Sequence, residues 1–175
     1  MKIKGHSLND IYSEYFNEDK ELQDSLRKDI DVMEKNMKYE YISGVERFLN
    51  ELKENNIPIC LVTSSLNSKM RNVFTFHKEL KDYFSFIVTG EDVVHSKPNP
   101  DCYLLGAKGI GFLPKDCVVF EDSLAGIFAA GNANMKVIAL STTQTIQEIK
   151  STNVVSMIIP NFDTITIQDI EDLFH

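Results

Sequence analysis

The chain has 175 residues, 43% of them hydrophobic and 25% charged, with few glycines and prolines, the composition of an ordinary globular protein with room for one core and a small appendage. Its net charge of −8 argues against the basic stripe that binds nucleic acid. No apolar run approaches the ~20 residues that cross a bilayer, and Met1-Lys2-Ile3-Lys4-Gly5 lacks the apolar segment of a secretory signal.

Residues 7–38 read as helices. Leu8, Ile11, Tyr12, Tyr15 and Phe16 share one face of a 3.6-residue period, and Leu22, Leu26, Ile30, Met33 and Met37 mark a second, charge-rich amphipathic helix. No strand signal precedes residue 57, so an all-helical unit is expected over residues 1–42. After Ser43-Gly44, Val45, Phe48, Leu49 and Leu52 predict another helix, which Asn55-Asn56 end. The continuous apolar run Ile57-Pro58-Ile59-Cys60-Leu61-Val62 predicts a strand buried on both faces. From there the elements alternate: strands near 86–88, 117–120, 136–140 and 154–159, helices near 66–77, 100–110, 124–132, 143–150 and 166–174. Such alternation implies a parallel sheet covered by helices, here over residues 43–175. Cys60, Cys102 and Cys117 stand apart, mostly in apolar runs. They predict free, buried thiols and a reducing, cytoplasmic compartment.

Ligands of an open parallel sheet bind beyond the carboxyl ends of its strands, and three polar clusters sit there. Thr63-Ser64-Ser65, between a strand and a helix, offers hydroxyls and N–H groups to a phosphate; helix capping is the plainer explanation. In Lys97-Pro98-Asn99-Pro100, Asn99 suits a helix cap with Pro100 at the first helical position, which leaves Lys97 unexplained. A fixed cation to neutralise a phosphoryl group explains it, against a solvated surface lysine. Glu121-Asp122 ends a buried strand, where two carboxylates need a partner such as Mg²⁺ or serve as acidic caps. The small residues Ala125, Gly126, Ala129, Ala130 and Gly131 predict close packing of the helix that follows.

Taken in this order, the clusters resemble the haloacid dehalogenase superfamily, in the branch of β-phosphoglucomutase and phosphoglycolate phosphatase. The resemblance is carried by Lys97-Pro98-x-Pro100-Asp101, by the 24 positions from Lys97 to Glu121, and by Glu-Asp-Ser-x-x-Gly. It implies a Rossmann-like three-layer α/β/α core with a partial N-terminal helical cap over residues 1–42. It further implies a Mg²⁺-dependent phosphatase or phosphomutase acting on a small phosphorylated metabolite. By position, Thr63 and Lys97 would be the catalytic groups that grip the phosphoryl, Ser64 would add its N–H, and Asn67 would reach the phosphate. Glu121 and Asp122 would hold the metal. Ile3-Lys4-Gly5-His6-Ser7 looks like a segment inside the cap. Leu8 stands where some sugar-phosphate enzymes place a basic residue, which speaks against a β-phosphoglucomutase-like role. Lys28 could reach from the cap to the phosphate, though a surface lysine is the plainer reading. His77, His95 and His175 are isolated and suggest no metal site.

The family opens on a strand ending Asp-x-Asp-Gly, whose first aspartate attacks phosphorus and whose second is the general acid/base. No such segment stands upstream here. Asp10, Asp19, Asp29 and Asp31 lie in predicted helices without a preceding apolar strand and are rejected as nucleophiles. The resemblance places the absent strand mid-sheet, between the strands ending at Thr63 and Glu121. Three readings follow: an N-terminally truncated enzyme, inactive as it stands; a noncatalytic phosphate- or Mg²⁺-binding protein; or a split enzyme completed by a strand from a partner or a second copy.

Overall fold

The computed structural model describes Phe16 and residues 19–175; the first expected helix, from Leu8, lies outside them. Helix α1 (Lys20–Asn36) starts where Asp19 caps it, its carboxylate accepting the Leu22 N–H at 3.0 Å. Its expected apolar face is not core: none of its residues is buried, and Met33 is 67% exposed. α1 instead leans on the helix over residues 67–76 through polar groups, with Glu34 3.4 Å from Lys69.

Helix α2 (Val45–Glu54) buries Phe48, Leu49 and Leu52. Phe48 packs on Phe120 and Phe162 with ring centroids 5.5 and 5.7 Å apart. Then come β1 (Cys60–Val62), α3 (Asn67–Phe76), β2 (Phe86–Val88), α4 (Asp101–Ile110), β3 (Val118–Glu121) and α5 (Leu124–Asn132). They are followed by β4 (Lys136–Leu140), α6 (Ile146–Lys150), β5 (Met157–Ile159) and α7 (Ile167–Glu171). The strand expected from residue 57 starts only at Cys60. The Ile57 N–H is still held by the end of α2, donating to Leu52 O at 2.9 Å, and Pro58 has no N–H to offer a ladder.

All strand pairs are parallel, as the alternation requires, but the sheet is divided. β1 pairs with β2, and β3, β4 and β5 pair in that order. The Thr63 N–H donates to Val88 O, and Ile59 O accepts from Ser85, both at 2.9 Å. Alternation therefore turns the odd-numbered residues of β1 toward β2, and the backbone groups of Cys60 and Val62 toward the other side. Cys117 O accepts from Lys136 at 3.1 Å, which by the same alternation turns Val118 and Phe120 away from β4. No strand among the described residues pairs with either free edge. Burial follows suit: central β4 is buried from Val137 to Leu140, whereas every residue of β1 is only half-buried and β3 buries Val119 alone.

The halves share a core instead of a ladder. α4 packs on β1, β2 and α5, and α5 packs on β3 and β4. Val88, Tyr103, Ala107, Ile127 and Val137 are fully or nearly fully buried in this cluster. The cysteines depart from expectation. All are free, but only Cys102 is buried; Cys60 opens β1 and Cys117 precedes β3, so both lie half-buried at the free edges. Burial, then the neighbouring Cys117 and Cys102, still push the Cys60 thiol up to about 11. Among the described residues no helix is long and apolar enough to cross a membrane.

If the Val62 and Phe120 amides face an unpaired edge, they should exchange with solvent at least about tenfold faster than those of Val137 and Ile138. Amide-resolved hydrogen exchange measures this, and equal protection would mean that the two edges are paired.

Candidate functional site

The turn after β1 is not a helix cap. Leu66 occupies the N-cap position of α3 without a side-chain bond, while Thr63 Oγ1 accepts the Ser65 N–H at 3.1 Å and closes a local turn. The loop after β2 presses against this turn, its Gly90 N–H donating to Ser65 O at 3.0 Å. Glycine is required there, because a Cβ at residue 90 would lie 2.5 Å from the Ser64 carbonyl oxygen.

Lys97 is far from a solvated lysine. It follows that same loop, precedes a cis peptide to Pro98, and leaves only 6% of its surface exposed. α4 starts at Asp101, one residue later than the expected Pro100 start, with the Asn99 side chain accepting the Asp101 N–H at 3.0 Å. Lys97 Nζ donates to Glu121 Oε2 and to the Tyr103 hydroxyl, each at 3.0 Å, and the Tyr103 hydroxyl donates to the same Glu121 oxygen at 2.7 Å. The other oxygen, Oε1, accepts from the Ser123 N–H at 3.0 Å and its hydroxyl at 2.6 Å. Ser123 in turn caps α5 by accepting the Gly126 N–H at 3.0 Å. A Cβ on residue 126 would stand 2.1 Å from the Glu121 carboxyl carbon, so the site requires glycine there.

Burial pushes the Glu121 carboxyl up, but the Lys97 charge and the hydrogen bonds from Ser123, Tyr103 and Lys97 outweigh it and leave it below its ordinary value. Burial, then the Glu121 charge, holds the Tyr103 phenol well above its own. The network is therefore a fixed ammonium, a fixed carboxylate and a phenol that keeps its proton.

Thr63, Ser64, Lys97, Glu121 and Asp122 line one cavity of about 630 Å³. Asn67, the remaining candidate, is not on its wall; its exposed side-chain amide bonds the Glu91 carboxylate. The Thr143 hydroxyl donates to Asp122 O at 2.6 Å and to its carboxylate at 3.2 Å. Lys28 is exposed and off the wall, whereas its neighbour Arg27 is on it. The wall carries five carboxylates against three cations. No group of three or more metal-ligating side chains gathers among the described residues. Sequence reasoning missed Tyr103 and Ser123. The signal for both was the pairing a buried Lys97–Glu121 couple demands, Tyr103 lying six positions beyond the lysine and Ser123 two beyond the glutamate. It also missed Arg27 and Asp31, which nothing local distinguishes from a solvated helix face.

Such a site can hold an anion at the Thr63 turn, with Lys97 to neutralise it. A family model described as haloacid dehalogenase-like hydrolase matches residues 1–140. A probable pseudouridine-5'-phosphatase of Drosophila melanogaster is 40% identical over 110 residues, 60% of this chain and 48% of that protein. The chloroplastic 5-amino-6-(5-phospho-D-ribitylamino)uracil phosphatase of Arabidopsis thaliana is 30% identical over 135 residues, 77% of this chain and 35% of that protein. The chain thus spans less than half the length of these relatives. A family IA, variant 3 hydrolase of Entamoeba histolytica has a similar fold, with a TM-score of 0.83 at 24% identity over 98% of this chain and 80% of that one. β-Phosphoglucomutase of Clostridium difficile gives 0.79 at 23% identity, over 98% and 78%.

Glu121→Gln should destabilise the protein by about 3 kcal/mol near neutral pH, because it leaves Lys97 buried without its counter-charge. The depressed Glu121 carboxyl contributes stability above its ordinary value and loses it as pH falls through the lower folded-state value. Urea unfolding should therefore show the gap between wild type and variant closing below about pH 4.3. A gap that stays constant down to pH 3 would contradict the ion pair.

Proposed function

The chain belongs to the haloacid dehalogenase-like hydrolases, and from that premise we propose a Mg²⁺-assisted phosphatase or phosphomutase site for a small phosphorylated metabolite, completed by a strand seated between β1 and β3. The observation that carries the reading is the buried Lys97–Glu121–Tyr103 network beside the Thr63 turn. In this reading Thr63 binds the transferring phosphoryl through its hydroxyl and Ser64 through its N–H, and Lys97 neutralises the charge that develops on it. Glu121 pairs with Lys97 and aims it. Asn67 opens α3 off the cavity wall and would meet a phosphate oxygen only after leaving Glu91.

Asp122 is the carboxylate best suited to hold the metal, since both Glu121 oxygens are already engaged by Lys97, Tyr103 and Ser123. Mg²⁺ commonly uses one or two carboxylates, with waters and phosphate oxygens as the rest, so the hard oxygen donors and the excess of negative charge fit it. When bound, it would withdraw charge from the phosphoryl oxygens. Helix α1 covers the mouth as a cap and limits the entry of water.

With Glu121 tied to Lys97 and Asp122 assigned to the metal, the described wall leaves Asp31, Glu34 and Glu91, of which Glu34 pairs with Lys69 and Glu91 with Asn67. The family resemblance assigns the attacking carboxylate to a strand in the gap. The same vacancy favours a second reading, a phosphate- or Mg²⁺-binding protein that does no chemistry; a strand from a partner or a second copy would restore the first.

By calorimetry the chain should bind inorganic phosphate, more tightly with Mg²⁺ present, and Thr63→Ala should weaken binding about tenfold. The chain alone should hydrolyse p-nitrophenyl phosphate no faster than buffer. A folded sample without phosphate binding would overturn the reading. Turnover abolished by Asp122→Ala would mean that the nucleophile lies in this chain.

A further inference from the structure

Between α1 and α2 the chain runs through residues 37–44 without helix or strand, and one side chain holds this linker to the core. His77 closes the C-terminal end of α3, its backbone N–H donating to Val73 O at 2.8 Å. Its ring, 14% exposed, meets an acceptor at each nitrogen: the Tyr39 carbonyl at Nε2, and Glu79 Oε1 3.4 Å from Nδ1. The Tyr41 ring stacks on the imidazole with centroids 4.0 Å apart, and the Tyr41 hydroxyl donates to the same Glu79 oxygen at 3.0 Å. Tyr39 carries the contact to α1, its hydroxyl donating to Glu34 O at 2.7 Å while its ring packs edge-on against Phe76.

A neutral imidazole has one N–H and serves only one of two acceptors, whereas an imidazolium serves both. From this geometry we propose that His77 is a proton-operated clasp on the linker. Protonated, it fastens residues 39–41 to the end of α3 and seats α1 over the cavity mouth. Neutral, it gives up one acceptor, so the seating weakens as pH rises. The clasp acts whatever anion the cavity holds.

The charges around the clasp are mostly negative. Glu79 faces the ring from its own turn, Glu34 of α1 and Glu46 of α2 act on Tyr39 and Tyr41, and Lys69 of α3 pairs with Glu34. Its own backbone N–H, then the Tyr41 hydroxyl, hold the Glu79 carboxyl below its ordinary value, so it stays ionised. Burial, then Glu79, holds the Tyr41 phenol well above its own, and burial, then Glu34, raises that of Tyr39. Both phenols therefore keep their protons near neutrality. Imidazole is the side-chain group that changes charge between about pH 5 and 8, so the clasp follows pH through His77.

None of the 17 residues of α1 is buried, and a helix of that length is marginal alone, so its amides report whether it is seated. Hydrogen exchange, corrected for the intrinsic rate, should show them at least about threefold better protected at about pH 5.5 than at about pH 8. His77→Gln should abolish that difference, while His95→Gln, whose ring pairs with Asp101, should keep it. Glu79→Gln discriminates further, because a carboxamide accepts from an imidazolium and, turned over, donates to a neutral imidazole. In that variant α1 should stay protected at both pH values. Circular dichroism checks folding, and should His77→Gln fail to fold, Glu79→Gln still decides. Equal protection of α1 at the two pH values in the wild type would overturn the clasp, as would a difference that survives in His77→Gln. Protection lost at both pH values in Glu79→Gln would make Glu79 a plain anchor and overturn it as well.

Discussion

A lysine ammonium with 6% of its surface exposed is tolerable only beside a counter-charge and hydrogen-bond acceptors. Lys97 finds both in Glu121 and Tyr103, and the three groups come from different places. The lysine follows the loop after β2, the tyrosine is on α4, and the glutamate ends β3. The ion pair therefore crosses the division between the two halves of the sheet, joining at their carboxyl ends what no ladder among the described residues joins along their length. The close approach of the Ser64 turn and the glycine at residue 126 both serve this junction. It holds the cation where an anion would be received, so one interaction both stabilises the fold and equips the site.

The division itself is the second constraint. Parallel strands are ordinarily covered on both faces and paired on both edges. β1 and β3 each have one edge without a partner among the described residues, and their free ends open on the cavity. Helices α4 and α5 hold the halves together by packing, beside the Lys97–Glu121 junction. Backbone groups left facing a gap are a standing invitation to an extended segment, and a segment seated there would end beside Thr63 and Glu121. In the proposed reading, binding and charge neutralisation fall to side chains already in place, and attack to whatever fills the gap.

Much of the architecture was legible because burial imposes periodicity. The β2, β4 and α5 boundaries follow directly from apolar runs and their punctuation. The reading failed where local pattern and tertiary context part. α1 has the amphipathic spacing of a core helix, yet none of its residues is buried: Leu22, Met33 and, at its C-cap, Met37 stay exposed, and its cavity face mixes Ile30 with Arg27, Asp31 and Glu34. Cys60 and Cys117 sit in apolar runs that predict burial, but they flank unpaired edges. Thr63, Ser64, Lys97, Glu121 and Asp122 were found as separate motifs, and the fold brings them to one wall. Tyr103 was not found, because a tyrosine on a helix looks like core until the buried charge beneath it is known.

The central claim is that this chain supplies the gripping half of a phosphate-transfer site and that the attacking carboxylate enters between β1 and β3. It is tested most directly by joining an apolar strand ending in Asp-x-Asp to the chain through a flexible linker and measuring p-nitrophenyl phosphate hydrolysis with Mg²⁺. The account requires turnover that the unmodified chain lacks, together with slowed amide exchange at Val62 and Phe120, and loss of that turnover when the first aspartate becomes asparagine. A strand that protects both edges yet brings no turnover would contradict it.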